Sequence, residues 1–192
     1  METAPSRPSP LRRPIFEKER PLSPAERGTA LHLAMQYLDY GRTDTLEQVR
    51  EEIKRLAAMG FITPAQGDAV DGEAIYAFFA SPLGQRLKRA PRVEREFKFS
   101  MLVPAADYYP EGESGETLLL QGVVDCWFQE EDGTITVVDF KTDRVTEETV
   151  ADRAAGYRPQ LEAYTRALAE VMEMPVTRKV LWFFAVGHEV SW

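Results

Sequence analysis

The chain has 192 residues, enough for one domain with a core of its own. Its composition, 44% hydrophobic and 28% charged, is ordinary for a globular protein, and no apolar run approaches the roughly 18 residues that span a membrane. A net charge of −8 excludes the broadly basic surface of a protein that grips duplex DNA unaided, and a single cysteine, Cys126, excludes an internal disulfide, a four-cysteine zinc site and a four-cysteine iron–sulfur cluster.

Residues 1 to about 20 read as an irregular lead-in, with Pro5, Pro8, Pro10, Pro14 and, at its edge, Pro21. No apolar segment of a secretory signal is present there, so the expected setting is a reducing cytoplasm. The expected organisation is an arm over 1–22 and one domain over 23–192, helical to about residue 90 and sheet-forming from 91. Ser23-Pro24-Ala25-Glu26 is a capping box with proline at the first helical position, and it opens a helix whose apolar stripe is Leu31, Ala34, Met35 and Leu38. A second helix is predicted over about Thr45 to Met59, and Thr63-Pro64-Ala65-Gln66 caps a third, short one. Further helical turns are predicted over Gly72 to Phe79 and Pro82 to Lys88. The run Arg86 to Arg95 is strongly basic; it reads either as a solvated helix end and linker or as a phosphate-facing edge of a DNA groove.

After Pro91 the character changes. Arg92 to Val103, Thr117 to Phe128 and Ile135 to Lys141 are rich in β-formers. Arg153 to Met172 returns to helical spacing, with Leu161, Tyr164, Leu168 and Val171 on one face, and Arg178 to Val186 closes the chain as an apolar strand. Helices, three strands, a helix and a strand make an α/β (α+β) domain with a central mixed sheet flanked by helices.

Asp132-Gly133 between two β-runs signals a hairpin, and its loop length decides which residues face each other. A two-residue loop places Asp125 opposite Phe140 and turns Asp139 to the other face. A three-residue loop, Glu131 to Gly133 with Gly133 in the left-handed slot, places Asp125 directly opposite Asp139, and this loop is predicted. The two carboxylates then stand about 5 Å apart at their β-carbons. Flanked by Val123, Val124, Trp127, Val137 and Val138, they would repel each other and lose hydration unless a divalent cation joined them. Lys141 follows Asp139 by two and emerges on the same face, where its ammonium can polarise a water or steady charge on a phosphate. Asp-x-Lys alone reads as a surface salt bridge; an acid on the adjacent strand turns it into a candidate for phosphodiester hydrolysis.

Gly122-Val123-Val124-Asp125, then Val137-Val138-Asp139-Phe140-Lys141-Thr142-Asp143, then Tyr157-Arg158-Pro159-Gln160-Leu161-Glu162-Ala163-Tyr164 resembles the signature of RecB-like PD-(D/E)xK nucleases. Upstream, Pro24 to His32 resembles the histidine helix of the AddA subunit of bacterial helicase–nucleases, and Arg95-Glu96-Phe97-Lys98-Phe99 resembles an R-E-x-P-F strand, with Lys98 where proline is usual. The similarity runs from about residue 24 to 186, and its motifs are specific together rather than singly. It implies a restriction-endonuclease-like core with an N-terminal helical region. It further implies catalysis by Asp125, Asp139 and Lys141, and a Mg²⁺ or Mn²⁺ ion held by His32, Asp125, Asp139, the Phe140 carbonyl and Glu96. Gln160 and Tyr164, four apart on one helix face, would orient Lys141 or touch the scissile phosphate. Gly28, one turn before His32, would leave room for a strand or for DNA.

Plainer readings stand beside these: a packed histidine at 32, an ion pair between Glu96 and neighbouring arginines, and a polar pair at the core rim for Gln160 and Tyr164. No G-x-x-x-x-G-K-[ST] phosphate loop is present, so no nucleotide is expected to bind. The resemblance implies DNA, a single strand delivered by a helicase region of the same native polypeptide, together with a partner nuclease subunit, and it implies no membrane. The competing functions are a non-catalytic nuclease-fold module that docks DNA or a partner, and a stand-alone, junction-resolving or restriction-type nuclease.

Overall fold

A computed structural model describes residues 21–107 and 115–192. The proline-rich lead-in, apart from Pro21 and Leu22, lies outside them. Helix α1 spans Pro24–Tyr37, α2 Leu46–Met59, α3 Pro64–Ala69, α4 Gly72–Ala80 and α5 Pro82–Arg89. Strands β1 (Val93–Pro104), β2 (Thr117–Gln129) and β3 (Ile135–Lys141) follow, then α6 (Val150–Met172), β4 (Val176–Phe183) and β5 (His188–Ser191). The helix starts are where the sequence puts them: Ser23, Thr45 and Thr63 each accept a bond from a third-residue backbone N–H, and Glu26, Gln48 and Gln66 reach back to complete the capping boxes.

The five strands lie in sequence order in one mixed sheet. Pairing is antiparallel except between β3 and β4, which run parallel with α6 as their crossover. One face packs on the N-terminal helices, joining Leu31, Met35, Phe78 and Leu87 to Cys126, Val138, Phe140 and Trp182. The other packs on α6, joining Leu161 and Leu168 to Val124, Trp127, Val137 and Leu181. Burying the sheet on both faces accounts for the apolar run Val180 to Phe184 at the end of β4.

Two expectations are corrected. The last predicted strand ends early, at Phe183; the chain turns through Gly187, at φ 59, and returns as β5 along the edge of β4. Four residues, of which only Val190 is apolar, carry too little alternation to announce a strand. On α6, Val171 is 47% exposed, because the buried stripe follows Leu161, Thr165 and Leu168 and leaves Val171 rotated off it.

Candidate metal and catalytic centre

The β2–β3 hairpin has the three-residue loop. Glu130 N–H donates to the Thr134 carbonyl at 2.8 Å, Gly133 sits at φ 86, and Cys126, Trp127 and Phe128 pair with Val138, Val137 and Thr136. That register leads straight to Asp125 opposite Asp139, and there the ladder stops. Continued regularly, it would pair Phe140 with Val124. Instead Asp125 Oδ2 accepts the Phe140 N–H at 2.8 Å. In an extended strand the N–H and C=O of one residue point to the same side, so the Phe140 carbonyl is also turned toward the parting of the two strands.

The same point is distorted on the other side of β2. Glu96 falls opposite Asp125 in the β1–β2 register, between the pairs Arg95–Cys126 and Phe97–Val124, but takes left-handed backbone at φ 52. Few non-glycine residues adopt such backbone, and its cost falls where geometry matters. Across this kink β1 changes faces: Val93 packs toward the N-terminal helices, Phe97 and Phe99 toward α6. Arg95 anchors the kink, donating to the Leu38 carbonyl at 2.7 Å with its guanidinium 4.5 Å from the centre of the Tyr40 ring. β1 is thereby tied to the C-terminus of α1, the helix that carries His32.

Four expected residues converge on this gap. His32 Nδ1 lies 3.6 Å from Asp125 Oδ1. One donor atom each from His32, Glu96 and Asp125 lie within 4.8 Å of one another. Asp139 faces Asp125 and pairs with Lys141, Oδ2 to Nζ 2.7 Å. Phe140, between the acid and the lysine, is buried edge-on against Phe78 at a centroid distance of 5.3 Å, which fixes the rotation of β3 and holds Asp139 and Lys141 on its other side. Gly28 is packed close to Thr142; a β-carbon there would lie 2.7 Å from Thr142 Oγ1, so the missing side chain lets α1 approach the end of β3.

The electrostatics are those of crowded acids with too few cations. Burial and the facing Asp125 carboxylate push Asp139 up to about 7, against the pull of Lys141. Asp125 stays below its ordinary value: burial works against this, but His32, Asp139 and the Phe140 N–H outweigh it. Burial and Asp125 raise Glu96. Burial opposes protonation of His32, yet Asp125, with Asp139 and Glu96 behind it, lifts it above 6.5. A cation among these groups would do what the extra protons do. One imidazole nitrogen with hard carboxylate oxygens is a donor set that suits Mg²⁺ and, with its tolerance of nitrogen, Mn²⁺. Cys126, adjacent but buried, has its thiol pushed up to about 12 and supplies no thiolate.

Gln160 and Tyr164 do not meet Lys141 through a hydrogen bond or ion pair. Gln160 is exposed and donates to Tyr164 Oη at 3.1 Å, while Tyr164 packs edge-on against Phe99. Gly122 makes room for that pair, since a β-carbon there would lie 2.7–2.8 Å from both rings. The residue that touches Lys141 is Tyr157, one turn earlier on α6, with Nζ 3.9 Å from the ring centre. Tyr157 Oη donates to Asp143 at 2.9 Å, and Arg153 clamps Asp143 from the same helix at 2.6 Å. The sequence contained one signal for this: Tyr157 stands three residues before Gln160, at the head of the motif. Glu96 makes no ion pair with an arginine among the described residues, since Arg92 pairs with Glu94 and Arg95 is engaged by Leu38 and Tyr40. The basic run is largely neutralised in the same way, Arg86 by Glu130 and Lys88 by Asp44. That favours its reading as a helix end and linker. His188, at the start of β5, is exposed and pairs with Phe183, two strands across the sheet from Lys141.

The family model of the PD-(D/E)XK nuclease superfamily matches residues 9–190. Among known proteins, the chain is 39% identical over 193 residues to an ATP-dependent helicase/nuclease subunit of Bacillus cytotoxicus, covering 95% of this chain and 16% of that protein. It is 39% identical over 191 residues to the corresponding protein of Bacillus mycoides, covering 93% and 15%, and 38% identical over 188 residues to that of Bacillus anthracis, again covering 93% and 15%. The chain thus spans less than a fifth of the length of these relatives.

Proposed function

The chain belongs to the PD-(D/E)XK nuclease superfamily, and from that premise we propose that it hydrolyses phosphodiester bonds of DNA, mainly single strands, with Mg²⁺ or Mn²⁺. The observation that carries this reading is the convergence of His32, Glu96, Asp125 and Asp139 beside Lys141 at the parting of β2 and β3. His32, Asp125, Asp139 and the Phe140 carbonyl would hold the ion, with Glu96 as a further acidic ligand. Bound there, the ion would act as a Lewis acid on the phosphate and lower the pKa of a water.

The protein's own groups supply orientation and charge. Asp125 holds the Phe140 N–H and His32 together and so fixes the mouth of the gap. Lys141, held between Asp139 and the Tyr157 ring, offers an ammonium that orients the attacking water or steadies the negative charge of the five-coordinate phosphate. The oxygen of one water would form the new P–O bond as the old P–O bond breaks, and the proton that water gives up balances the one the leaving oxygen gains, so that one water is consumed and a phosphate monoester and an alcohol result.

We further infer that the chain is the nuclease portion of a longer polypeptide of the AddA type. A helicase region of that polypeptide would deliver the strand, and a partner nuclease subunit would act with it in double-strand-break repair in the bacterial cytoplasm. The similarity to helicase/nuclease subunits over a small share of their length supports this, as does the net charge of −8: a nuclease fed by a motor needs little affinity of its own. No helix among the described residues is long and apolar enough to cross a membrane.

The test is incubation of the 192-residue chain with end-labelled single-stranded DNA and Mg²⁺ or Mn²⁺. Cutting that requires the ion and is lost in Lys141→Ala and Asp125→Asn is expected. A parent chain that binds the ion and DNA but never cuts would instead support a docking module built on a nuclease fold.

A further inference from the structure

A groove of about 260 Å³ lies between α1 and the segment that follows β3, with Arg27 and Gly28 on one wall, Thr142 and Arg144 on the other, and Phe184 behind. It shares no lining residue with the acidic gap, but Gly28 is one turn before His32 and Thr142 is next to Lys141. It opens at the C-terminal ends of the parallel strands β3 and β4, the edge at which open α/β sheets receive their ligands. Arg144 is three residues beyond Lys141. Arg27 is five residues before His32 on α1, a rise of about 7.5 Å along the helix.

We propose that Arg27 and Arg144 grip the phosphodiester backbone of the nucleic-acid strand beside the phosphate being cut; this rests on the reading that the substrate is a DNA strand. Both side chains are exposed. Arg27 makes one weak commitment, Nε to the Leu22 carbonyl at 3.2 Å, and no carboxylate among the described residues pairs with it. Arg144 has no hydrogen bond or ion pair among the described residues. Five other arginines, Arg42, Arg86, Arg92, Arg153 and Arg178, are paired with acids. The acid that lines this groove, Asp71, spends its carboxylate on the Glu73 and Ala74 N–H groups at the start of α4. In a chain with a net charge of −8, two guanidinium groups with no carboxylate partner among the described residues are placed for an anion, and their planar forks match the oxygens of a phosphodiester. Gly28, seated against Thr142, brings the two walls together, so a strand gripped by both arginines would lie across this contact.

The test measures binding of fluorescein-labelled oligothymidylate to the 192-residue chain by anisotropy, with Ca²⁺ as the ion, over a range of KCl. Cutting of the same oligonucleotide in Mg²⁺ is followed in parallel. R27A/R144A, with an unchanged melting curve, is expected to raise the Kd about tenfold at low salt. It should also lower the slope of log affinity against log salt by about 1.4, the loss of two phosphate contacts to a single strand. R27Q/R144Q, which keeps the side-chain length without the charge, should behave the same. A parent chain that cuts while both double variants bind with unaltered Kd and slope would overturn the groove and leave the nuclease reading intact. A parent chain that neither binds nor cuts the oligonucleotide would overturn both.

Discussion

Replacing Gly28 with alanine sets two known energies against each other. An alanine inside a helix is favoured over glycine by about 1 kcal/mol. The new β-carbon, however, would stand 2.7 Å from Thr142 Oγ1, well inside contact distance, and overpacking of this kind costs about 1–3 kcal/mol. Gly28→Ala is therefore expected to lie between neutral and about 2 kcal/mol less stable, measured by urea unfolding. Activity should suffer more than stability. His32 is one turn further along the same helix face, 3.6 Å from Asp125, and a displacement of about 1 Å in such a centre costs on the order of a hundredfold in rate. Removing the obstacle should restore it. After Thr142→Ala the nearest Thr142 atom that remains is the β-carbon, at 3.6 Å, an ordinary contact. The double variant is thus expected to cut single-stranded DNA at close to the parental rate and to be up to about 1 kcal/mol more stable than Thr142→Ala alone, a coupling a double-mutant cycle reads directly. If Gly28→Ala by itself is about 1 kcal/mol more stable than the parent and fully active, helix propensity has acted unopposed and α1 is not seated against β3 as described.

Tyr157→Leu removes the ring under Lys141; with a cation–π contact worth about 1–2 kcal/mol when desolvated, kcat should fall about five- to thirtyfold with KM little changed, while Tyr157→Phe, which keeps the ring, falls less. A KM effect alone, or a Phe variant as slow as the Leu variant, would show that the ring does not act through Lys141. Glu96→Gly relieves left-handed backbone and removes a carboxylate, so in cation-free buffer it should be about 1 kcal/mol more stable than the parent while binding Mn²⁺ more weakly, as calorimetry would register. Weaker stability would refute the strain. Asp139 has its folded pKa raised to about 7, so its contribution to stability is full below the ordinary carboxylate value near 3.8 and is lost as pH rises through about 7; His32, raised above 6.5, acts in the same sense, and the lowered Asp125 acts only at more acidic pH. The melting temperature in EDTA should therefore fall between about pH 4 and 7. Mn²⁺ binding should release more protons at pH 6 than at pH 8, measured in buffers of different ionisation enthalpy, and a release that does not depend on pH would contradict the crowding of these groups.

What the sequence made legible and what it concealed divide along physical lines. The helix starts were written in short-range chemistry, in Ser23, Thr45 and Thr63 with their partners three residues on. The register that sets Asp125 against Asp139 was legible because one glycine at the left-handed position of a three-residue loop determines every pair below it. The kink at Glu96 was not, since nothing in a glutamate flanked by β-formers announces left-handed backbone; tertiary ties from Arg95 to α1 hold it there. The partner of Lys141 was misplaced by one turn of α6. Helical spacing correctly put Gln160 and Tyr164 on one face, but which residue of α6 lies over β3 depends on where the helix docks, and the clamp of Arg153 and Tyr157 on Asp143 sets that. The basic run from Arg86 to Arg95 left a phosphate-facing edge open beside the helix end and linker because its acids, Asp44 and Glu130, are remote in sequence.

The central claim is that side chains from α1, β1, β2 and β3 enclose one seat for a divalent cation, and the most direct measurement is an anomalous difference map from crystals soaked in Mn²⁺. A peak within coordination distance of His32, Asp125 and Asp139, absent in crystals of Asp125→Asn, is the expected result. Lys141 should have swung from Asp139 toward the ion's open side. Soaked crystals in which that gap stays without a peak, or in which Mn²⁺ settles elsewhere while the chain still cuts DNA, would contradict it.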